Sequence, residues 1–135
     1  MIQEVNTKKA PQAIGPYSQA VKCGNLIFCS GNIGVDPKTG TMTAGGIKEQ
    51  TRQVFQNLKE VLNEAGADFH SVVKTTVYLQ NMSDFSVMNE IYGTYFKKPY
   101  PARATIEVSK LPKDALIEIE CTAYLEKVGC GCQCL

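Results

Sequence analysis

Two amphipathic helical stretches lie among runs that alternate like β-strands, and this pairing limits the fold more than any other feature of the chain. From residue 47, Ile47, Thr51, Val54, Leu58, Val61, Leu62 and Ala65 recur at helical steps, and Gly66 stands where a C′ residue belongs. SVVKTTVYL (71–79) is rich in β-branched residues and predicts a strand. Ser83 or Asp84 then caps a second helix with the stripe Met88, Ile91, Tyr92, Tyr95 and Phe96, which Pro99 and Pro101 end. Strands follow within 103–108 and 116–125. Upstream, residues 10–19 form a loop around Pro11, Gly15 and Pro16, and Gly24-Asn25 turns a hairpin between SQAVKC and LIFCSG. Asp36 to Gly40 and Gly45-Gly46 mark further turns. The order β-β-(β)-α-β-α-β-β predicts an α+β fold, with both helices on one face of a mixed sheet. Two helices cannot cover two faces. Apolar residues on the far face of the last three strand regions therefore predict an oligomer.

With 135 residues the chain suffices for one domain, assigned to 1–127, followed by a cysteine-rich tail at 128–135. A net charge of +1 without a Lys/Arg cluster gives no electrostatic footprint for nucleic acid. No apolar run approaches the ~18 residues of a membrane span, and MIQEVNTKKAP has no signal-peptide character, so a cytoplasmic protein is expected. Cys23, Cys29 and Cys121 sit in apolar strand-like runs, where free cysteine packs as a small hydrophobe. Cys130, Cys132 and Cys134 crowd the tail. They offer soft-metal binding, intersubunit disulfides, a thiol sensor or prenylation of Cys132, against a default of a flexible tail with incidental cysteines.

Little catalytic machinery is visible. The single histidine, His70, lies in the link after the first helix, and no metal-ligand, nucleophile-elbow or phosphate-loop pattern occurs. What remains is an arginine and two carboxylates on strands. Alternation puts Arg103, Thr105 and Glu107 on one face of their strand, and Glu118 and Glu120 opposite Ile117, Ile119 and Cys121 on theirs. A fixed guanidinium suits a small carboxylate, and a nearby glutamate can handle water or a proton. Spacing equally allows a surface ion pair at Arg103 and a solvated or edge-blunting strand face at Glu118 and Glu120. For Tyr17, buried packing with a satisfied hydroxyl is the default.

Collinear blocks settle which reading to pursue. APQAIGPYSQAV (10–21), GNLIFCSGNIGVDPKTG (24–40), QTRQVFQNLKEVLNEAG (50–66), VVKTTVYLQNMSDFSVMNEIYGTYF (72–96), PARATIEV (101–108) and LPKDALIEIE (111–120) together resemble the YjgF/RidA family of reactive-intermediate deaminases. The resemblance implies a chorismate-mutase-like α+β fold and a homotrimer with ligand clefts between subunits. It also implies hydrolysis of 2-imino acids, such as 2-iminobutanoate and 2-iminopropanoate, to 2-oxo acids and ammonia. No cofactor or metal is implied, and pyridoxal-phosphate-dependent dehydratases are the implied source of substrate.

Residue by residue, the resemblance makes Arg103 of the PAR motif the binder of the substrate carboxylate. Glu118, the first glutamate of IEIE, becomes the holder or activator of water, and Tyr17 of IGPY lines the cleft. Ser30 and Gly31 match an SGQ-like turn, Asn89 an asparagine near the pocket, and Thr105 a position that contacts substrate through its backbone carbonyl. Three departures stand out. Thr105 replaces a common cysteine, Asn32 and Gly34 replace Gln and Pro, and the loop Lys97-Lys98-Pro99-Tyr100 is short. Members of the family are also associated with ligand-binding or chaperone-like trimers and with endoribonuclease activity. The near-neutral charge weighs against a general RNA binder.

Overall fold

The computed structural model describes residues 1–126. Cys130, Cys132 and Cys134, with the expectations attached to them, lie outside the described residues. In chain order the elements are β1 (Ile2–Val5), β2 (Ala20–Cys23), β3 (Leu26–Asn32), β4 (Val35–Asp36), β5 (Thr41–Met42), α1 (Ile47–Glu64), β6 (Val72–Leu79), α2 (Phe85–Tyr95), β7 (Ala102–Glu107) and β8 (Ile117–Tyr124). Six strands form one sheet in the order β1-β2-β3-β8-β6-β7, while β4 and β5 make a separate small hairpin. Neighbours are antiparallel except β6 and β7, whose parallel pairing needs a crossover that α2 supplies. The expected mixed sheet with two helices on one face is the fold observed.

Strand β1 was not foreseen. It pairs with β2 at the sheet edge from Ile2 opposite Cys23 to Val5 opposite Ala20, and only Val5 is buried. An edge strand with one buried side chain carries almost no periodic signal. The same edge leaves Cys23 exposed, correcting its reading as a buried small hydrophobe, whereas Cys29 and Cys121 are buried.

Both helices behave as their sequences require, with two corrections. At the start of α1, the Gly46 N–H donates to Glu49 Oε1 at 2.9 Å. Its end is closed by Gly66 at φ +86°, and the Ala67 N–H returns to the Leu62 carbonyl at 2.8 Å. The buried stripe of α1 also includes Gln50, Phe55 and Asn57, which lie outside the expected set. Phe55 stacks on Tyr95 at 4.4 Å and meets Phe69, Tyr92 and Phe96 edge-on, so this aromatic group joins the two helices. The second correction concerns the cap of α2. Asp84 stands at its N-cap but makes no side-chain cap bond. The turn leading in is held instead from β7, where Glu107 Oε1 accepts from the Met82 N–H at 2.8 Å.

The core lies between the helices and one sheet face. Ile27, Val77, Ile117, Ile119 and Ala123 are fully buried there. The opposite face differs. Register places Phe28 across from Val21 and Thr122, Tyr124 across from Leu26, and Ile106 across from Tyr78. Phe28, Ile106 and Tyr124 are 43%, 45% and 46% exposed. The sheet thus has one covered apolar face and one open face with large apolar side chains.

Candidate active site

The residues singled out from sequence gather in two places. The first is the edge of the sheet where β7 meets α2. Arg103 faces the helices, because its β6 partner, Thr75, is buried with Cys121 on that side. Phe85, Asn89 and Tyr92 are spaced by four and three residues, so one face of α2 presents all three to the guanidinium. The Arg103 guanidinium carbon lies 4.6 Å from the Tyr92 ring centre and 5.5 Å from that of Phe85. Its Nη1 donates to Asn89 Oδ1 at 2.8 Å. Tyr92 is itself pinned, its hydroxyl 2.8 Å from Thr75 Oγ1. Cation–π stacking and one hydrogen bond fix the plane of the guanidinium without neutralising it. Among the described residues the only ion pair is Lys110 with Asp114, so Arg103 has no carboxylate partner there. Thr105 lies one step along the same face, and its buried hydroxyl has no hydrogen-bond partner among the described residues.

The second place lies where the N-terminal loop crosses β3 and β8. A cleft of about 290 Å³ is lined by Tyr17, Ser30, Gly31, Asn32 and Lys113, among others. Ser30 is tied to the loop through its N–H to the Gln19 carbonyl at 3.0 Å and its Oγ to the Ser18 carbonyl at 2.6 Å. Register between β3 and β8 is irregular from Cys29 to Asn32, and this bulge brings Gly31 under Glu118. A Cβ at Gly31 would meet the Glu118 carboxylate, so the glycine leaves the room that this side-chain position occupies. Glu118 is half-buried on the open face, and burial, then the charge of Glu120, push its carboxyl above the usual range. Tyr17 is 52% exposed, correcting the expectation of buried packing.

Several residues that shape these walls were not read from sequence. Gln19 is buried, its Oε1 accepting from the Thr7 N–H at 2.7 Å and its Nε2 donating to the Thr7 and Pro11 carbonyls at 3.0 and 2.8 Å. It folds the 7–19 loop over the cleft. Asn57 is fully buried and donates to the carbonyls of Ile33 and Val35 at 3.2 and 2.9 Å, holding the opposite wall. Gln50 Oε1 accepts from the Leu116 N–H at 2.8 Å at the start of β8. Lys113 lines the cleft from a left-handed backbone position, φ +56°. For Gln50 and Asn57 a signal existed, since both fall three residues along α1 from apolar stripe positions, where a polar side chain must find partners.

The structure thus brings Arg103, Asn89 and Thr105 together, and separately Tyr17, Ser30, Gly31 and Glu118. It does not join the two groups, which belong to opposite faces of one sheet.

The chain is similar to known proteins along most of its length. The sequence profile of the family described as Endoribonuclease L-PSP matches residues 7–125. A RutC family protein of Pyrococcus abyssi is 57% identical over 120 residues, covering 89% of this chain and 94% of its own. The human 2-iminobutanoate/2-iminopropanoate deaminase is 51% identical over 119 residues, 88% of this chain and 87% of its own. The crystal structure of RidA from an Antarctic Psychrobacter superposes with a TM-score of 0.88 at 46% identity, covering 91% of this chain and 99% of that one. No helix among the described residues is long and apolar enough to cross a membrane. The chain belongs to the Endoribonuclease L-PSP family, the YjgF/RidA proteins.

Proposed function

We propose that this protein hydrolyses 2-imino acids, such as 2-iminobutanoate and 2-iminopropanoate, to 2-oxo acids and ammonia. The reaction is placed in clefts where the Arg103 group of one subunit faces the Glu118 group of the next in a homotrimer. One observation carries the reading. Arg103 is held in a fixed plane by Tyr92 and Asn89 and lacks a carboxylate partner among the described residues, a receptor for a small carboxylate. The names of relatives at about half identity support the same chemistry. The homotrimer is proposed because the open sheet face carries Phe28, Ile106 and Tyr124.

The chemistry asks little of the protein. A protonated imine next to a carboxylate is already electrophilic, so orientation, a water and proton transfer suffice. Arg103 clamps the carboxylate, with Asn89 fixing the guanidinium and the Thr105 backbone beside it. Water adds to the imine carbon as a C–O bond forms and the C=N π electrons move to nitrogen. Glu118 removes a proton from that water and returns one to nitrogen. The hydroxyl then gives its proton to Glu118 as its oxygen forms the C=O bond and the C–N bond breaks. Ammonia leaves and takes that proton from Glu118, and the 2-oxo acid remains. A carboxyl raised by burial suits a group that both takes and gives a proton. Ser30, Gly31 and Tyr17 form the wall against which the substrate lies. Substrate would come from the enamines that pyridoxal-phosphate-dependent dehydratases release.

The test couples threonine dehydratase to this protein and follows loss of the imine. Wild type should speed its conversion to 2-oxobutanoate, and Arg103→Ala should not. A binding or holdase protein would leave the rate at that of water alone.

A further inference from the structure

We propose that Cys29 and Cys121 are a disulfide site, a pair of thiols on β3 and β8 that a peroxide closes into a reversible bridge. The two residues are direct partners in the register of these antiparallel strands. Both are free cysteines, 6% and 5% exposed, on the helix face of the sheet. Residues directly opposite on antiparallel strands have Cα atoms about 4.5–5.5 Å apart, within the window of about 4.4–6.8 Å that a disulfide spans. Their Cβ atoms stand at about 4.5–5.5 Å, whereas a bridge brings them to about 3.5–4.5 Å. The strands must therefore draw together by up to roughly an ångström, which makes the bridge strained and readily reduced.

Among the described residues, Cys121 is the cysteine that faces Cys29 across the ladder. The neighbouring Cys29 side chain first, then burial, pushes the Cys121 thiol well above its usual range. Cys121 therefore rests as a thiol, with Cys29 its direct partner. Register breaks between Cys29 and Asn32, so β3 is already irregular where it would have to move. Cys23 does not compete, because its register partners are Ile2 and Leu26. The site lies on the helix face, away from the open face where another copy of the chain would pack. A closed bridge would tether the segment leading into Ser30 and Gly31 to the strand that carries Glu118.

The chemistry balances. One sulfur attacks hydrogen peroxide, an S–O bond forms as the O–O bond breaks, and water leaves. The second sulfur then attacks the sulfenic sulfur, forming S–S and breaking S–O, and a second water leaves. The two thiols lose two electrons, and the peroxide is reduced to two waters.

Full-length Cys23→Ser protein is treated under native conditions with excess hydrogen peroxide, unfolded, alkylated with iodoacetamide and digested with trypsin. The expected result is a linked pair of peptides, 23–38 with 114–127, with loss of alkylation at both Cys29 and Cys121 that dithiothreitol reverses. Cys29 that stays alkylatable, that links to the tail peptide, or that is oxidised to sulfinic acid without a link would each overturn the proposal. So would Cys29 disappearing from alkylation at an unchanged rate in the same protein carrying Cys121→Ala. The linkage readout is independent of imine hydrolysis, so it stands or fails apart from the proposed activity.

Discussion

Arg103 and Glu118 lie on opposite faces of the same sheet. On β6, the partner of Arg103 is Thr75 and the partner of Glu118 is Tyr78. These positions are an odd number of residues apart along one regular stretch of strand, so the side chains paired with them point to opposite sides. Burial agrees, since Thr75 is 1% exposed under the helices while Tyr78 and Glu120 border the open face. Within one chain the two residues cannot grip one small substrate. If both act in one reaction, they must come from different copies.

Replacing Arg103 should remove most activity. Loss of charge-assisted hydrogen bonds of about 3 kcal/mol corresponds to roughly two orders of magnitude in kcat/KM. Arg103→Ala is therefore expected to fall at least that far in the coupled imine assay. Arg103→Lys should recover only a part, because an ammonium keeps the charge but lacks the fork that Tyr92 and Asn89 hold in plane.

Glu118 predicts a stability change with a definite sign. Its carboxyl is raised by burial and then by Glu120, so the folded state binds a proton more tightly than the unfolded chain. For such a group the favourable contribution is fully present below the unfolded carboxylate value and is lost as pH rises through the folded one. Glu118→Gln should accordingly raise Tm at neutral pH, with the gain shrinking as pH falls through the raised folded value and gone below about 4. Thermal scans across that range check it, and a gain that grows on acidification would contradict the assigned cause.

The open face should hold the assembly. Covering a side chain such as Phe28 is worth about 1.5–3 kcal/mol per subunit. Phe28→Glu puts a charge at that position without touching the core on the other face. Sedimentation at micromolar concentration should show wild type at three times the chain mass and the variant as monomer, both with the same far-ultraviolet spectrum.

Asn57 should matter for stability more than its polarity suggests. Truncation to alanine leaves the Ile33 and Val35 carbonyls unpaired behind the cleft wall, at a cost of about 2–4 kcal/mol. Urea titration should show a lower midpoint with an unchanged slope.

Much of this architecture was legible in the sequence because periodicity reports burial. The stripe from Ile47 to Ala65, the β-branched run at 72–79 and the alternation around Arg103 each describe a face that had to be covered. Strand β1 was not legible, since one buried valine leaves no pattern. Nor was the role of Gln19, whose amide binds backbone groups many residues back along the chain, a relation that no local spacing records. Alternation put Arg103 and Glu118 each on a face, but not on which face relative to the other. That depends on the register of three strands, set by α2 and the crossover rather than by either strand's own residues.

The most direct measurement is complementation between inactive chains. Arg103→Ala and Glu118→Ala proteins, each inactive alone, are mixed, dissociated in denaturant and refolded together. If every site takes Arg103 from one chain and Glu118 from another, random mixing restores both residues to about a quarter of the sites, and the same fraction of wild-type imine turnover should return. If the two residues act within one chain, no mixture contains an intact site, and activity that stays at the level of the single variants would contradict the account.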